Sequence, residues 1–157
     1  MNILITNDDG INSPGLQVLN DVLQDFGTVT IVAPDKQQSA VSSLLSIYKP
    51  LRVHKVFKED KLFGYSVDGS PVDCVKLAVT TLMENKPDLI LSGINYGKNT
   101  SINILYSGTV AAAFEGLLYN LPSIAFSICS HSLNVDFSAS KHYIKQLIPQ
   151  VLDLKEK

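Results

Sequence analysis

At 157 residues the chain is long enough for one domain with a sizeable core and too short for two comfortable ones. With 45% hydrophobic and 18% charged residues it reads as globular and rather apolar, which excludes a disordered class. A net charge of -2 excludes a broad nucleic-acid or membrane footprint, so any phosphate recognition has to be local.

Cys74 and Cys129 stand alone, without a CxxC spacing, and read as small hydrophobes in a reducing compartment. No leader precedes the first apolar run, and no run approaches the length of a membrane span. The expected location is the cytoplasm.

The first ten residues, MNILITNDDG, organise the rest of the chain. Ile3, Leu4 and Ile5 predict a short buried strand that breaks at once into Asn7, Asp8, Asp9 and Gly10. Two adjacent carboxylates at a strand end repel, and burial favours their protonation unless a cation or hydrogen-bond donors hold the charged form. A hard divalent metal with oxygen ligands would do so. Turn chemistry accounts for the same four residues equally well.

Asn12 or Ser13 can then cap a helix with Pro14 in its first turn. Leu16, Leu19, Val22, Leu23 and Phe26 recur at helical spacing up to Gly27. Val29, Ile31, Val32 and Ala33 predict a second buried strand ending at Pro34-Asp35, so the opening is a β-α-β unit with parallel strands.

Lys36 to Ser46 is a Ser-rich loop that is either a solvated connection or a ligand-bearing segment at a strand's carboxyl end. Leu51 to Val56 and Leu62 to Val67 predict antiparallel strands around the turn Lys58-Glu59-Asp60-Lys61. Ser70, Pro71 and Asp73 form a helix start: cap, first helical residue and an acid at the positive dipole end.

Leu89, Ile90 and Leu91 predict a further strand, ending at Ser92-Gly93-Ile94-Asn95. A loop from Asn95 to Thr109, rich in Asn, Gly, Ser and Thr, leads into a helix at Val110 to Leu118. Its three alanines would let that helix lie close to the sheet. Ser123 to Ser127 reads as another strand and Asp136 to Leu152 as a final amphipathic helix. His54, His131 and His142 fall outside every motif, and the NTS at Asn99 to Ser101 reads as a chance glycosylation pattern.

Alternating strands and helices with near-continuous apolar strands imply a three-layer α/β/α, Rossmann-like fold: a mostly parallel sheet covered on both faces, as one domain over residues 1–157. Ligands of such sheets bind beyond the carboxyl ends of the strands, near a topological switch point. Asp8-Asp9, the Ser39 loop and Gly93 to Asn95 would meet there. Two carboxylates, a hydroxyl and an amide make an oxygen-rich set suited to Mg²⁺, Mn²⁺ or Ca²⁺ and poor in zinc's soft ligands. Ser107-Gly108-Thr109 opens a helix whose free N–H groups and dipole make a phosphate seat. Metal and phosphate seat together point to phosphoryl chemistry.

Five co-linear motifs resemble the SurE family: NDDG at Asn7 to Gly10, Ala33-Pro34 with Gln38-Ser39, GSPVDC at Gly69 to Cys74, SGINYGKN at Ser92 to Asn99, and YSGTVAAAFE at Tyr106 to Glu115. The resemblance implies a divalent-metal-dependent phosphomonoesterase, a 5′-nucleotidase and acid phosphatase, hydrolysing nucleoside 5′- and 3′-monophosphates to nucleoside and phosphate. By position it makes Asp8, Asp9, Ser39 and Asn95 the ligands of one divalent cation, Mg²⁺ or Mn²⁺, with Asp8 and Asp9 the catalytic pair. Asn99, Ser107, Gly108 and Thr109 would line the phosphate site. It also implies a homodimer or tetramer for a longer chain, and no membrane or nucleic-acid duplex as partner.

The chain departs from the family pattern with Ala40 after the loop serine where Gly is usual, with GSPVDC for GTPADC, and with Asn103 where an acid is common. It also stops short of the family's usual C-terminal hairpin and exchanged element, which leaves a non-catalytic homologue that binds metal or nucleotide as the alternative. An aspartyl-phosphate phosphatase of the haloacid dehalogenase type would space its acids as DxD, and here they are adjacent. A phosphoryl-receiver domain would need a later phosphoacceptor Asp that the strands do not supply.

Overall fold

The computed structural model describes residues 1–38, 40–130, 132 and 134–155. Strand β1 (Asn2–Thr6) leads to helix α1 (Pro14–Leu23) and strand β2 (Thr28–Pro34). A long loop precedes the hairpin β3 (Val53–Lys58) and β4 (Lys61–Val67). Helix α2 (Pro71–Leu77) runs on into a π-helical turn (Ala78–Leu82), followed by β5 (Leu89–Tyr96). A 3₁₀ segment (Ser101–Tyr106), α3 (Gly108–Leu117), β6 (Ser123–Ile128) and α4 (Ser138–Lys155) complete the chain.

The strands form one sheet in the order β3-β4-β2-β1-β5-β6. Every pairing is parallel except that of β3 with β4. Strand alternation divides the apolar runs between two layers. Ile3, Ile5, Ile31, Ala33, Leu89 and Leu91 pack with Leu16, Leu19 and Leu23 of α1 and Ile144 and Ile148 of α4. Leu4, Val32 and Ile90 point the other way, against Cys74, Val75 and Ala78 of α2 and its extension and Ala112 of α3. Each fully buried Leu or Ile contributes about 1.5–3 kcal/mol to holding the layers together. The α/β/α reading holds.

Local chemistry explains the helix starts. The Ser13 and Ser107 hydroxyls accept from Leu16 N and Val110 N, and Ser70 with Asp73 forms a reciprocal capping box. Ala111 and Ala112 are buried beneath α3, and its outer side leaves Phe114, Leu117 and Leu118 exposed.

Several boundaries differ from the sequence reading. Helix α1 ends at Leu23, because the last turn before Gly27 closes through a Phe26 N to Leu23 O bond outside the helix. The hairpin turn is only Glu59-Asp60, both in the left-handed region (φ 49° and 58°), and β3 and β4 shift accordingly. Strand β5 does not stop at Ser92. Gly93, at φ 131°, takes up a break in register with β6, and pairing resumes at Asn95 and Tyr96.

The order of strands sets the site's position. Helix α1 leaves β1 toward β2 on one side, and α2 brings the chain back to β5 on the other. The switch point is therefore between the carboxyl ends of β1 and β5.

Candidate active site at the β1–β5 switch point

Directly after β1, Asn7 folds the chain into a turn. It is fully buried, and its Oδ1 accepts from Gly10 N while its Nδ2 donates to Gly10 O and to Ser13 Oγ, each within 3.1 Å. Because Ser13 in turn caps α1, one amide side chain joins the strand's end to the helix's start. Turn chemistry is therefore real for Asn7 and Gly10. It does not account for the two acids between them.

Asp8 is 8% exposed. Its Oδ1 accepts from the Thr109 hydroxyl at 2.6 Å, and its backbone carbonyl accepts from Gln38 N at 2.7 Å. Burial raises the Asp8 pKa, opposed by hydrogen bonds from the Thr109 hydroxyl and from backbone N–H groups. Asp9 is half-buried and turns toward the end of β5, where Tyr96 N donates to its Oδ2 over a long 3.4 Å. Burial, and then the neighbouring Asp8 charge, push Asp9 up to about 6.

A cleft of about 370 Å³ opens over this pair. Asn95 lines it from the resumed part of β5, with its Nδ2 donating to Gly97 O at 2.9 Å. That bond leaves the Asn95 carbonyl oxygen as the group available to a cation. Asn99 and Ser107 also line the cleft. Asn99 Nδ2 reaches Ser127 Oγ on β6 at 2.8 Å, and Ser107 Oγ serves as the α3 cap.

Gly108 sits against Asp8, so closely that a Cβ there would lie 3.0 Å from the Asp8 Cβ. Thr109 is fully buried behind the acid pair. Of the expected residues, Asp8, Asp9, Asn95, Asn99 and Ser107 thus meet in one cleft. Gly108 and Thr109 support it from behind, and Ser39 lies outside the described residues.

Asn103, singled out in the sequence as a departure, lines the cleft too, and sequence reasoning missed Gln37, Lys98 and Tyr106, which also line it. The 3₁₀ segment puts Asn103 and Tyr106 there, and its short sequence, SINILY, with no buried residue, does not announce it. Lys98 was legible as the only cation of its loop. His54 is exposed on β3, His142 is exposed on α4, and His131 lies outside the described residues. No described histidine enters the cleft.

The Ser-rich loop is tied down on two sides. Ser42 N and Oγ donate to Tyr106 O and Leu105 O of the 3₁₀ segment. Further on, Ser46 N and Oγ donate to the two oxygens of Asp73, at 2.9 and 2.8 Å, and Ser70 Oγ donates to Leu44 O. The acid that boxes α2 is therefore also the loop's anchor.

The donor chemistry fits a hard divalent cation. Two partly desolvated carboxylates with raised pKa values meet an amide oxygen, with no sulfur or imidazole beside them. Among the described residues no group of three His, Cys, Asp or Glu converges, so any such site rests on two carboxylates plus neutral oxygens. Among the described residues, too, no helix is long and apolar enough to cross a membrane.

A Rossmann-like sheet with a paired-acid cleft at its switch point, faced by a helix N-terminus, belongs to the class of α/β proteins whose ligands bind beyond the carboxyl ends of the strands. Comparison narrows the class. The family model described as Survival protein SurE matches residues 3–156, and the chain belongs to that family.

It is 48% identical over 150 residues to a protein of Chlorobaculum tepidum named 5′-nucleotidase SurE, with 96% of this chain and 57% of that protein covered. A protein of the same name from Desulforudis audaxviator is 44% identical, with 99% and 61% covered. The crystal structure of the SurE protein from Aquifex aeolicus superposes with a TM-score of 0.86 at 41% identity, covering 98% of this chain and 60% of that one. The chain thus spans about three-fifths of the length of these relatives.

Proposed function

We propose that this chain carries the site of a divalent-metal-dependent phosphomonoesterase acting on nucleoside 5′- and 3′-monophosphates. One observation carries the reading: the Asp8-Asp9 pair and the Asn95 amide share a cleft with the N-terminus of α3. The names of the relatives supply the 5′-nucleotidase part of the proposal.

Asp8, Asp9, the Asn95 carbonyl oxygen and the Ser39 hydroxyl would hold one Mg²⁺ or Mn²⁺. When bound, the cation supplies Lewis-acid charge that offsets the phosphate oxygens and makes water more acidic. The residues of the chain do the remainder. Ser107 and Asn99 hold the non-reacting phosphate oxygens, and Lys98 adds a positive charge at the rim. Asp8 takes the proton of the attacking water. The cleft's described side chains otherwise bring only negative charge to an anionic substrate, which is why the cation is integral to the proposal.

The test is phosphate release from a panel of nucleoside monophosphates, with Mn²⁺ or Mg²⁺ and with chelator. Metal-dependent turnover that Asp8→Asn abolishes supports the reading. Turnover that survives chelation or Asp8→Asn overturns it. The second reading is binding of metal or nucleotide without turnover, which a folded, metal-binding but inactive chain would establish.

A further inference from the structure

We propose that Thr109 is a positioning residue for Asp8 and does not itself contact the phosphate. The inference rests on the metal-site reading of the Asp8-Asp9 cleft and deepens it. Three observations carry it. Thr109 is fully buried and does not line the cleft, so a phosphate entering from solvent does not reach its hydroxyl. That hydroxyl donates to Asp8 Oδ1 at 2.6 Å, a short bond between residues 101 apart in sequence, and the Thr109 backbone N–H also faces the same carboxylate. Gly108, beside it, admits the Asp8 carboxylate to within van der Waals distance of the helix.

The side chain suits the task. A β-branched residue in a helix has few χ1 choices, so the hydroxyl's direction is set by the backbone of α3. The backbone of α3 is in turn fixed by the Ser107 cap and by burial of Ala111 and Ala112. Holding Oδ1 from behind fixes the plane of the carboxylate and turns its remaining lone pairs toward the cleft. Partners behind a ligating group commonly change metal affinity or activity by about 10- to 100-fold when removed.

The experiment compares Thr109→Val, which keeps the shape and loses the donor, with Thr109→Ser, which keeps the donor. Mn²⁺ affinity is read by calorimetric titration of the metal alone, and kcat and KM are read with a nucleoside monophosphate. Thr109→Val should weaken Mn²⁺ binding about 10-fold or more, with any KM change under about twofold, and Thr109→Ser should restore Mn²⁺ affinity to within about threefold. If Thr109→Val does not fold, Thr109→Ala reads the same loss.

Unchanged Mn²⁺ affinity in the donor-free variant overturns the proposal, as does a raised KM with metal binding intact. An Asp8→Asn control separates the two readings. If it leaves Mn²⁺ affinity unchanged, the metal-site reading has failed; if only Thr109→Val is silent, the positioning role alone has failed.

Discussion

Asp9→Asn should make the metal-free protein more stable at neutral pH while removing its capacity to hold a cation. The fold carries the Asp9 carboxyl from its ordinary 3.8 to about 6, through burial first and the Asp8 charge second. At about 1.36 kcal/mol per pH unit, that displacement corresponds to about 3 kcal/mol against folding when Asp9 is ionised. Asp9 is only half-buried, so solvent screens part of this, and about 1.5 kcal/mol is the expected effect.

The sign follows from proton binding. The folded state holds the Asp9 proton more tightly than the unfolded chain does, so the penalty is absent below about pH 4. It grows between pH 4 and 6 and is full above 6. Asn removes the charge and retains a carbonyl to accept from Tyr96 N. The assay is thermal unfolding in chelator from pH 4 to 8. At pH 7.5 Asp9→Asn should melt about 3–6 °C above the parent, at about 2–4 °C per kcal/mol for a domain of this size. At pH 4 the two should coincide. Saturating Mn²⁺ should reverse the order, because only the parent gains by mass action. A difference independent of pH, or a mutant less stable at pH 7.5, would refute the electrostatic reasoning.

Asp73→Ala should destabilise the chain by about 3 kcal/mol, since it removes three hydrogen bonds from donors on Ser46 and Ser70 around a buried carboxylate. Urea denaturation measures it, and a loss below about 1 kcal/mol would sink the anchoring role. Gly108→Ala would place a Cβ 3.2 Å from Asp8 Oδ2 and from Pro71 Cγ. Contacts of that length need only a few tenths of an ångström of give, so the fold should persist while Mn²⁺ affinity falls about 10-fold. Full affinity in that variant would mean the contact is slack. Ala40 has φ 54°, where a Cβ costs about 1–2 kcal/mol, partly offset by glycine's unfolded-state entropy. Ala40→Gly should therefore raise stability by up to about 1 kcal/mol, and a fall in the urea midpoint would count against strain at this position.

The features legible in the sequence were local or periodic. Ile3 to Ile5 and Leu89 to Leu91 announce strands because hydrophobic runs this short are buried on both faces of a sheet. Ser13 and Ser70 announce helix starts because a cap needs only its own next three residues. The Asp8-Asp9 pair was visible because its electrostatic problem is written in adjacent letters.

The rest depended on geometry that no window of sequence contains. The continuation of β5 past Ser92 turns on the backbone of Gly93, which sequence reasoning took for a terminator. The 3₁₀ segment buries none of its apolar residues and is held partly by the Ser42 contacts from a loop about 60 residues earlier. Thr109 read as part of a phosphate seat because helix N-termini bind anions. That its hydroxyl faces Asp8 instead is decided by how closely the start of α3 approaches the turn after β1.

The double use of Asp73 has a consequence for how the molecule opens. Its carboxylate closes the first turn of α2 and also holds Ser46, so neither contact can be released without disturbing the other. Fraying of that helix and detachment of the Ser-rich loop become one cooperative event. The amide protons of Ser46 and Ser70, far apart in sequence, should then exchange with solvent water at a common opening free energy. A loop that in most domains would fluctuate by itself is here part of the same opening unit as a buried helix end.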